Sequence, residues 1–231
     1  MDNNKKAKRV IDTLTGPWER RVLPKMAAAL PEWIKPDHLT ILGIISGFII
    51  AAGYILTLKS SWWLLLSNLG LLIHWYADSL DGTLARVRHQ EREQYGYFVD
   101  HICDAFTTAV VTIGIGFSPL MKLEIALFIT IGYLLLNIYA HVGSYTEGIF
   151  RISFNKIGPT EVRIGIALIN FVLIGFNPTI KFGEQLEMTV ADLGGILIST
   201  IFIIVFCIFS VKDAIRLDRL SRLEKEKDGQ L

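Results

Sequence analysis

Four aspartates in the first half of the chain have the residue type and spacing for metal-assisted chemistry. Asp78 and Asp81 are three residues apart, and Asp100 and Asp104 are four residues apart. On helices, these spacings place each pair on one helix face. The neighbouring segments are strongly apolar, where an ionised side chain is costly unless something binds it. Two such faces turned toward each other would form an oxygen-rich site for hard divalent cations such as Mg²⁺ or Mn²⁺.

The composition indicates that membrane helices carry these aspartates. Of the 231 residues, 52% are hydrophobic and 19% are charged, which is too apolar for an ordinary soluble domain. A helix needs about 20 apolar residues to cross a bilayer, and six segments approach this length. They cover residues 38–58, 62–82, 96–119, 123–145, 160–176 and 189–211. The sequence therefore predicts an all-α polytopic membrane protein with six transmembrane helices.

Polar segments flank the six predicted spans. Residues 1–35 are expected to form a cytoplasmic tail followed by an N-terminal amphipathic helix over 17–33. Tryptophans near its ends and basic residues on one face suit a helix that lies on the membrane surface. A connector packed against the bundle is the alternative. Residues 36–212 form the membrane domain, and 213–231 form a charged cytoplasmic tail that extends the last helix into water.

The distribution of positive charge predicts the orientation. Twenty of the 23 lysines and arginines lie on one side of the predicted spans, and Lys59, Lys122 and Lys181 lie on the other. By the positive-inside rule, both termini and the aspartates face the cytoplasm. The two cysteines lie in apolar segments without metal-like spacing, so we predict neither a disulfide framework nor a cysteine metal site.

The spacing of eight residues resembles the signature of the CDP-alcohol phosphotransferases, integral membrane enzymes of phospholipid synthesis. The chain reads Asp-x-x-Asp-Gly-x-x-Ala-Arg, then nine residues, then Gly-x-x-x-Asp-x-x-x-Asp. The matching positions are Asp78, Asp81, Gly82, Ala85, Arg86, Gly96, Asp100 and Asp104. The resemblance implies transfer of a substituted phosphate from a CDP-linked donor to an alcohol, with release of CMP. It also implies two divalent ions, Mg²⁺ or Mn²⁺, in each site.

The resemblance implies a role for each residue of the signature. Asp78, Asp81 and Asp100 are expected to ligate metal. Asp104 is expected both to bind metal and to accept the proton of the alcohol. The residues expected to contact the nucleotide or donor are Gly82, Ala85, Arg86, Gly96 and Thr40. Helix packing is the alternative for the two glycines, and placement at the membrane interface is the alternative for the arginine.

Residues 36–40 resemble the family's Pro-Asn-x-x-Thr start of the first membrane helix, beside the nucleotide. Here Asp37 stands at the position of the asparagine. A capping role at the start of the helix is therefore the simpler expectation for Asp37.

Two substrate subclasses remain open. Asp100-His101 and Thr160-Glu161-Val162 resemble segments of the choline/ethanolamine phosphotransferases, which join CDP-choline or CDP-ethanolamine to diacylglycerol. This resemblance implies that His101 and Glu161 activate the lipid hydroxyl. The alternative is a CDP-diacylglycerol-dependent enzyme that acts on a small polar alcohol such as glycerol phosphate, inositol phosphate, serine or choline. Its acceptor phosphate would be bound by Arg151, Lys156 and Arg163.

The resemblance further implies a homodimer, for which Gly114, Gly116 and Gly132 supply small residues. The lipid bilayer is an expected partner, and nucleic acid is not. The isolated histidines are assigned to polar or surface contacts; they are His38, His74, His89 and His141.

Two alternatives from other functional classes were weighed. An ion-coupled transporter would predict carboxylates near the middle of the membrane and repeat symmetry, whereas these acids lie at helix ends. A structural scaffold would leave the spacing of the signature without a reason.

Overall fold

The computed structural model describes residues 13–147, 158–176, 178–182 and 186–227. Within these ranges, the chain forms seven α-helices and one β-hairpin. The helices are α1 (Gly16–Ala28), α2 (Pro36–Leu56), α3 (Leu64–Val87), α4 (Glu93–Gly116), α5 (Leu123–Glu147), α6 (Pro159–Gly175) and α7 (Val190–Lys227). A short 3₁₀ turn, Ser61–Trp63, precedes α3. The hairpin between α6 and α7 consists of β1 (Thr179–Phe182) and β2 (Leu186–Thr189).

Four of the described helices are long and apolar enough to cross a membrane, judged by length and composition. They are α2, α4, α5 and α7. Helix α6 has 17 residues, below the roughly 20 that a span requires. Helix α3 is long enough, but it carries Asp78, Asp81 and Arg86 near its end. The mainly helical architecture and these four helices are consistent with a polytopic membrane protein.

Helix α2 lies at the centre of the part of the bundle that carries the aspartates, because it packs against both α3 and α4. Gly70 of α3 allows close approach to α2, since a Cβ there would lie 2.7 Å from Cγ1 of Ile50. Helix α5 packs against α4 and α7, while α1 and α6 pack against α3. Small residues at such contacts let helix backbones approach closely.

The three glycines considered for a dimer interface are used inside the chain. A Cβ on Gly114 would lie 2.6 Å from Cβ of Ala51, and one on Gly132 would lie 2.8 Å from Cβ of Phe202. A Cβ on Gly116 would lie 2.9 Å from Cβ of Ala126. These glycines therefore provide no support for the dimer interface, because their open faces are filled by neighbouring helices.

Helix α1 packs on the bundle through its apolar face. Leu23 and Ala27 are buried against Leu80 and Leu84 of α3. The predicted helix extended to residue 33, whereas α1 ends at Ala28. Pro31 explains the difference, because the ring of a proline disfavours helical geometry in the preceding residue. The packing agrees with the connector alternative for this face.

The hairpin and the start of α7 lie at the end of the bundle that is remote from the four signature aspartates. Asp192 is 1% exposed, and its two carboxylate oxygens accept hydrogen bonds from the backbone N–H groups of Lys122 (2.7 Å) and Thr189 (3.0 Å). The sequence reading did not predict the hairpin. Helix α7 then continues without a break to Lys227.

Candidate active site

Two helices bring three of the predicted aspartates together. Asp78 comes from α3, whereas Asp100 and Asp104 come from α4. One oxygen from each of these carboxylates lies within 4.8 Å of the other two. Because α2 packs against both helices, it holds the two acidic faces on either side of one pocket. We call these three residues the aspartate cluster.

The aspartate cluster opens into a pocket that is lined mainly by α2, α3 and α4. Its lining residues are Leu39, Thr40, Gly43, Ile44, His74, Asp78, Asp81, Asp100, Cys103, Asp104 and Thr107. All four signature aspartates therefore face one space. The lining combines these four carboxylates with polar residues, Gly43 and the apolar side chains of Leu39 and Ile44.

Asp81 lines this pocket but lies outside the aspartate cluster. Its Oδ2 accepts a hydrogen bond from Oγ1 of Thr40 at 3.0 Å, and its Oδ1 accepts one from the backbone N–H of Gly82. The family resemblance predicts a nucleotide contact for Thr40. In the structure its hydroxyl orients a carboxylate that is an expected metal ligand.

A cation from the second half of the chain reaches the aspartate cluster. Nη2 of Arg163, on α6, lies 2.7 Å from Oδ2 of Asp78, and the two side chains are 15% and 23% exposed. A partly buried bidentate-capable guanidinium is well suited to carboxylate or phosphate oxygens. Arg163 therefore lies beside the aspartate cluster. The other two basic residues of the predicted acceptor site, Arg151 and Lys156, lie outside the described residues.

His101 does not line the pocket. Its Nδ1 lies 2.7 Å from the backbone oxygen of Tyr97 and 3.8 Å from Oδ2 of Asp100. Its ring also lies against His141 of α5, with 4.6 Å between ring centroids. The histidine turns away from the pocket because consecutive helix residues point about 100° apart. Its catalytic role stays a prediction.

Glu161 is held by the segment that precedes α1. Its Oε1 accepts hydrogen bonds from the backbone N–H of Thr15 at 2.8 Å and from Oγ1 of the same residue at 3.0 Å. Its Oε2 accepts one from the backbone N–H of Gly158 at 2.9 Å. The residue is absent from the pocket lining, so these contacts do not support a position beside His101. Its catalytic role also stays a prediction.

The remaining donor-site candidates surround the hinge between α3 and α4. A Cβ on Gly96 would meet nothing within 4 Å, so this glycine leaves open space at the start of α4. Arg86 is exposed, and its Nη2 donates to Oγ1 of Thr83 at 3.0 Å. A Cβ on Gly82 would lie 3.4 Å from Nη1 of Arg86, an ordinary contact. Ala85 is partly buried. None of these four residues lines the pocket.

Asp37 does not cap α2, because the capping position is Lys35. Asp37 lies in the first turn of the helix and pairs with Arg92, just before α4. The ion pair links α2 to the hinge rather than satisfying the backbone at the helix end.

His74 is a pocket residue that the sequence reading assigned only to structural contacts. It is 9% exposed and lines the pocket one helical turn before Asp78. The signal was present, because residues four apart on a helix share a face. Outside any motif the histidine is isolated in the sequence, and only its spacing from Asp78 indicates that it faces the pocket.

The aspartate cluster fits divalent ions of the hard class. It supplies several carboxylate oxygens from two rigid helices, and Mg²⁺ and Mn²⁺ prefer such ligands. Three acids this close repel one another, and a bound cation would relieve this repulsion further than the ion pair between Arg163 and Asp78 does. The arrangement is thus suited to positioning an anionic phosphate substrate through metal ions.

The fold and the site define a helical protein with apolar, membrane-type helices and a carboxylate cluster whose ligands suit a divalent metal. The family model described as CDP-alcohol phosphatidyltransferase matches residues 33–211. The chain therefore belongs to the CDP-alcohol phosphatidyltransferase family. This assignment favours the transferase prediction over the transporter and scaffold alternatives.

Two curated relatives are both named cholinephosphotransferase 1. The chicken (Gallus gallus) protein is 28% identical over 172 residues, which are 69% of this chain and 49% of that protein. The zebrafish (Danio rerio) protein is 30% identical over 192 residues, which are 74% of this chain and 48% of that protein. The chain thus spans about half the length of these relatives.

Proposed function

We propose that the protein transfers a phosphoalcohol from CDP-choline or CDP-ethanolamine to diacylglycerol and releases CMP. The observation that carries this proposal is the aspartate cluster, in which three aspartates of the family signature meet at one pocket that the fourth also lines. The names of the two relatives support the choline side of the proposal. The hydroxyl oxygen of diacylglycerol would form a bond to the donor phosphorus while the bond from that phosphorus to CMP breaks.

In this mechanism, Asp78, Asp81, Asp100 and Asp104 would hold two divalent ions. Bound ions would supply positive charge to the attacked phosphate and to the leaving CMP. Asp104 accepts the proton of the attacking hydroxyl, and Thr40 keeps Asp81 in place. His101 remains a proposed acceptor-side group because it adjoins Asp100.

A second candidate is transfer from CDP-diacylglycerol to a small alcohol that carries a phosphate. The position of Arg163 favours it, because a guanidinium beside the aspartate cluster could bind such a phosphate. In both candidate functions the four aspartates have the same expected role. The candidates differ in which substrate the guanidinium of Arg163 contacts.

The test measures CMP release by the purified protein in detergent with Mg²⁺ or Mn²⁺. CDP-choline and CDP-ethanolamine are each paired with diacylglycerol, and CDP-diacylglycerol is paired with a panel of small alcohols. An Asp100→Asn variant serves as the inactive control. Asp218→Asn, an exposed acid paired with Arg222 on the distal part of α7, serves as the matched active control. Turnover only with CDP-diacylglycerol would contradict the first proposal and support the second.

We also propose six membrane spans, with α3 and α6 joining the four apolar helices, α1 at the cytoplasmic surface, both termini in the cytoplasm and a homodimeric assembly. The arginines of the hinge between α3 and α4 support this orientation. Single cysteines at Lys59 and Gln90, in a variant without Cys103 and Cys207, test it. An impermeant thiol reagent on intact cells should label the cysteine at position 59 only, and labelling of only the other one would reverse the orientation.

A further inference from the structure

We propose that His74 is a positioning residue of the metal site, whose imidazole accepts a hydrogen bond from a water molecule bound to the divalent ion at the aspartate cluster. The inference rests on the proposed function for the presence of the ion, but its test is a binding measurement that needs no turnover. Three observations carry it: the burial of the imidazole, its place in the pocket lining, and its lack of a hydrogen-bond partner among the described residues.

The side chain of His74 is nine-tenths buried and lines the pocket. Within the described ranges of the chain, it forms no hydrogen bond and no ion pair. The charged groups that act on it are Asp78 of its own helix and Arg163 of α6. A buried polar group without a partner costs folding free energy, and most such groups in proteins are hydrogen-bonded. An unpartnered imidazole in a pocket therefore indicates a ligand that supplies the missing hydrogen bond.

His74 lies on the side of the aspartate cluster that is away from the hinge between α3 and α4. It precedes Asp78 by four residues, which is about 6 Å along the axis of α3. The residues expected to contact the nucleotide, such as Gly82 and Gly96, lie at the hinge instead. The ligand that His74 faces is therefore a small group on the inner side of the cluster rather than the nucleotide.

The geometry favours contact through water over direct binding of the ion. The group of ligand atoms that lie within 4.8 Å of one another comes from Asp78, Asp100 and Asp104, and His74 does not belong to it. Mg²⁺ usually keeps several of its waters, and a water bound to a cation is a strong hydrogen-bond donor. A neutral imidazole offers one acceptor nitrogen. His74 can thus hold the water that completes the coordination of the ion, as outer-shell partners of metal sites do.

The proposal and a purely structural role predict opposite effects on stability. If His74 stabilised the fold, its replacement should lower the unfolding temperature. Because the imidazole has no partner among the described residues, His74→Leu should instead raise the unfolding temperature of the metal-free protein by about 2–4 °C. A residue that is kept for function at a cost in stability behaves in this way.

The experiment measures Mn²⁺ affinity by calorimetric titration and the unfolding temperature after treatment with a chelator, both on the full chain in detergent. It compares His74→Leu, His74→Asn and His74→Gln with the control Leu71→Ala. Leu71 is 7% exposed, lies on α3 three residues before His74, and is absent from the pocket lining. Its truncation should lower the unfolding temperature and leave Mn²⁺ affinity unchanged. Pulsed EPR of bound Mn²⁺ shows whether a nitrogen binds the ion directly.

We expect His74→Leu to weaken Mn²⁺ binding about 10–100-fold, the range typical of substitutions in the outer shell of a metal site. At least one of His74→Asn and His74→Gln should stay within about fivefold of the wild type, because each amide oxygen can accept the same hydrogen bond. Unchanged affinity in His74→Leu would overturn the proposal, and so would a lower unfolding temperature of this variant without metal. A directly bound nitrogen that disappears in His74→Leu would also overturn it, since His74 would then be a ligand itself.

Mn²⁺ affinity and CMP release distinguish a failure of this proposal from a failure of the proposed function. If the wild type bound Mn²⁺ but released no CMP from any donor, the proposed function would fail, while the affinities of the His74 variants would still decide the inference. If the wild type bound no Mn²⁺, the inference itself would be overturned. In active protein, His74→Leu should raise the Mn²⁺ concentration for half-maximal CMP release by the same factor as it weakens binding.

Discussion

A buried aspartate, Asp192, lies at one end of this helical bundle, and three partly buried aspartates lie at the other end in surroundings of a different kind. Asp192 is satisfied by two backbone N–H groups within the protein. Asp78, Asp100 and Asp104 instead lie near one another, and the cation beside them contacts Asp78. The first half of α4 carries Asp100 and Asp104, and its end leads to Lys122. Roughly 18 Å of helix therefore separates Asp104 from the last residue of α4.

The comparison separates a structural carboxylate from a functional one. A carboxylate that accepts protein N–H groups at the start of a helix stabilises the helix and joins it to its neighbours. Carboxylates that face one another are costly without a ligand. The end that contains Asp192 should therefore govern stability, and the end that contains the aspartate cluster should govern activity.

The largest expected effect is on activity. Asp104→Asn should lower the rate of CMP release by about 10²–10⁴-fold, the range typical of removing a proton-accepting group. The thermal unfolding temperature in detergent should change little, because the substitution relieves repulsion among the acids. A variant that unfolds at much lower temperature would show that Asp104 stabilises the fold, as Asp192 does. The two ends of the bundle would then not differ in the way proposed.

The second effect is on stability. Asp192→Asn replaces one acceptor oxygen with a donor NH₂ that meets a backbone N–H, which should lower the free energy of unfolding by about 1–3 kcal/mol. Chemical denaturation measures this change. Activity per folded molecule should equal that of the wild type. A loss of activity without a loss of stability would mean that the remote end takes part in the reaction.

The third effect distinguishes the two ends by ligand. Mn²⁺ at about 100 times its dissociation constant should stabilise the wild type and Asp192→Asn by about 2.7 kcal/mol. Asp100→Asn should lose most of this gain, because the aspartate cluster loses a ligand. Thermal unfolding with and without Mn²⁺ gives the comparison. Equal stabilisation of all three proteins would place the ion elsewhere.

The smallest effect concerns the open space at the start of α4. Gly96→Ala should raise stability by up to about 1 kcal/mol, as expected for alanine in a helix, since a Cβ there meets nothing within 4 Å. If the donor occupies this space, KM for the CDP-linked substrate should rise severalfold. Gly143→Ala, also in open space on a helix, is the matched control and should leave KM unchanged.

Local spacing explains which parts of the site were predictable. The two aspartate pairs lie within single helical turns, so the face that each pair shares follows from helix geometry alone. The partners of Arg163 and Glu161 could not be predicted in this way. Arg163 meets Asp78 across 85 residues, and Glu161 meets Thr15 across 146. Such pairs depend on how whole helices pack, which no local pattern specifies.

The same distinction holds for the fold. The helical segments were predictable because the length of an apolar run indicates a helix without knowledge of its tertiary contacts. The hairpin was missed because its strands have four residues each, too short for an alternating pattern to stand out. The two strands are antiparallel, and Lys181 pairs with Glu187. The last residue of the hairpin, Thr189, takes part in the buried contacts of Asp192. One of these contacts, from the backbone N–H of Lys122, joins residues 70 positions apart.

By itself, the sequence determined the helical membrane class, the family signature and the two acidic helix faces, since each depends on composition or on spacing within a few turns. Only the tertiary structure decided that Arg163 pairs with Asp78, that Thr40 holds Asp81, and that Glu161 contacts the start of α1. The reason is physical. A helix fixes the relative directions of its own side chains, but the packing of small and apolar residues between helices decides which faces meet.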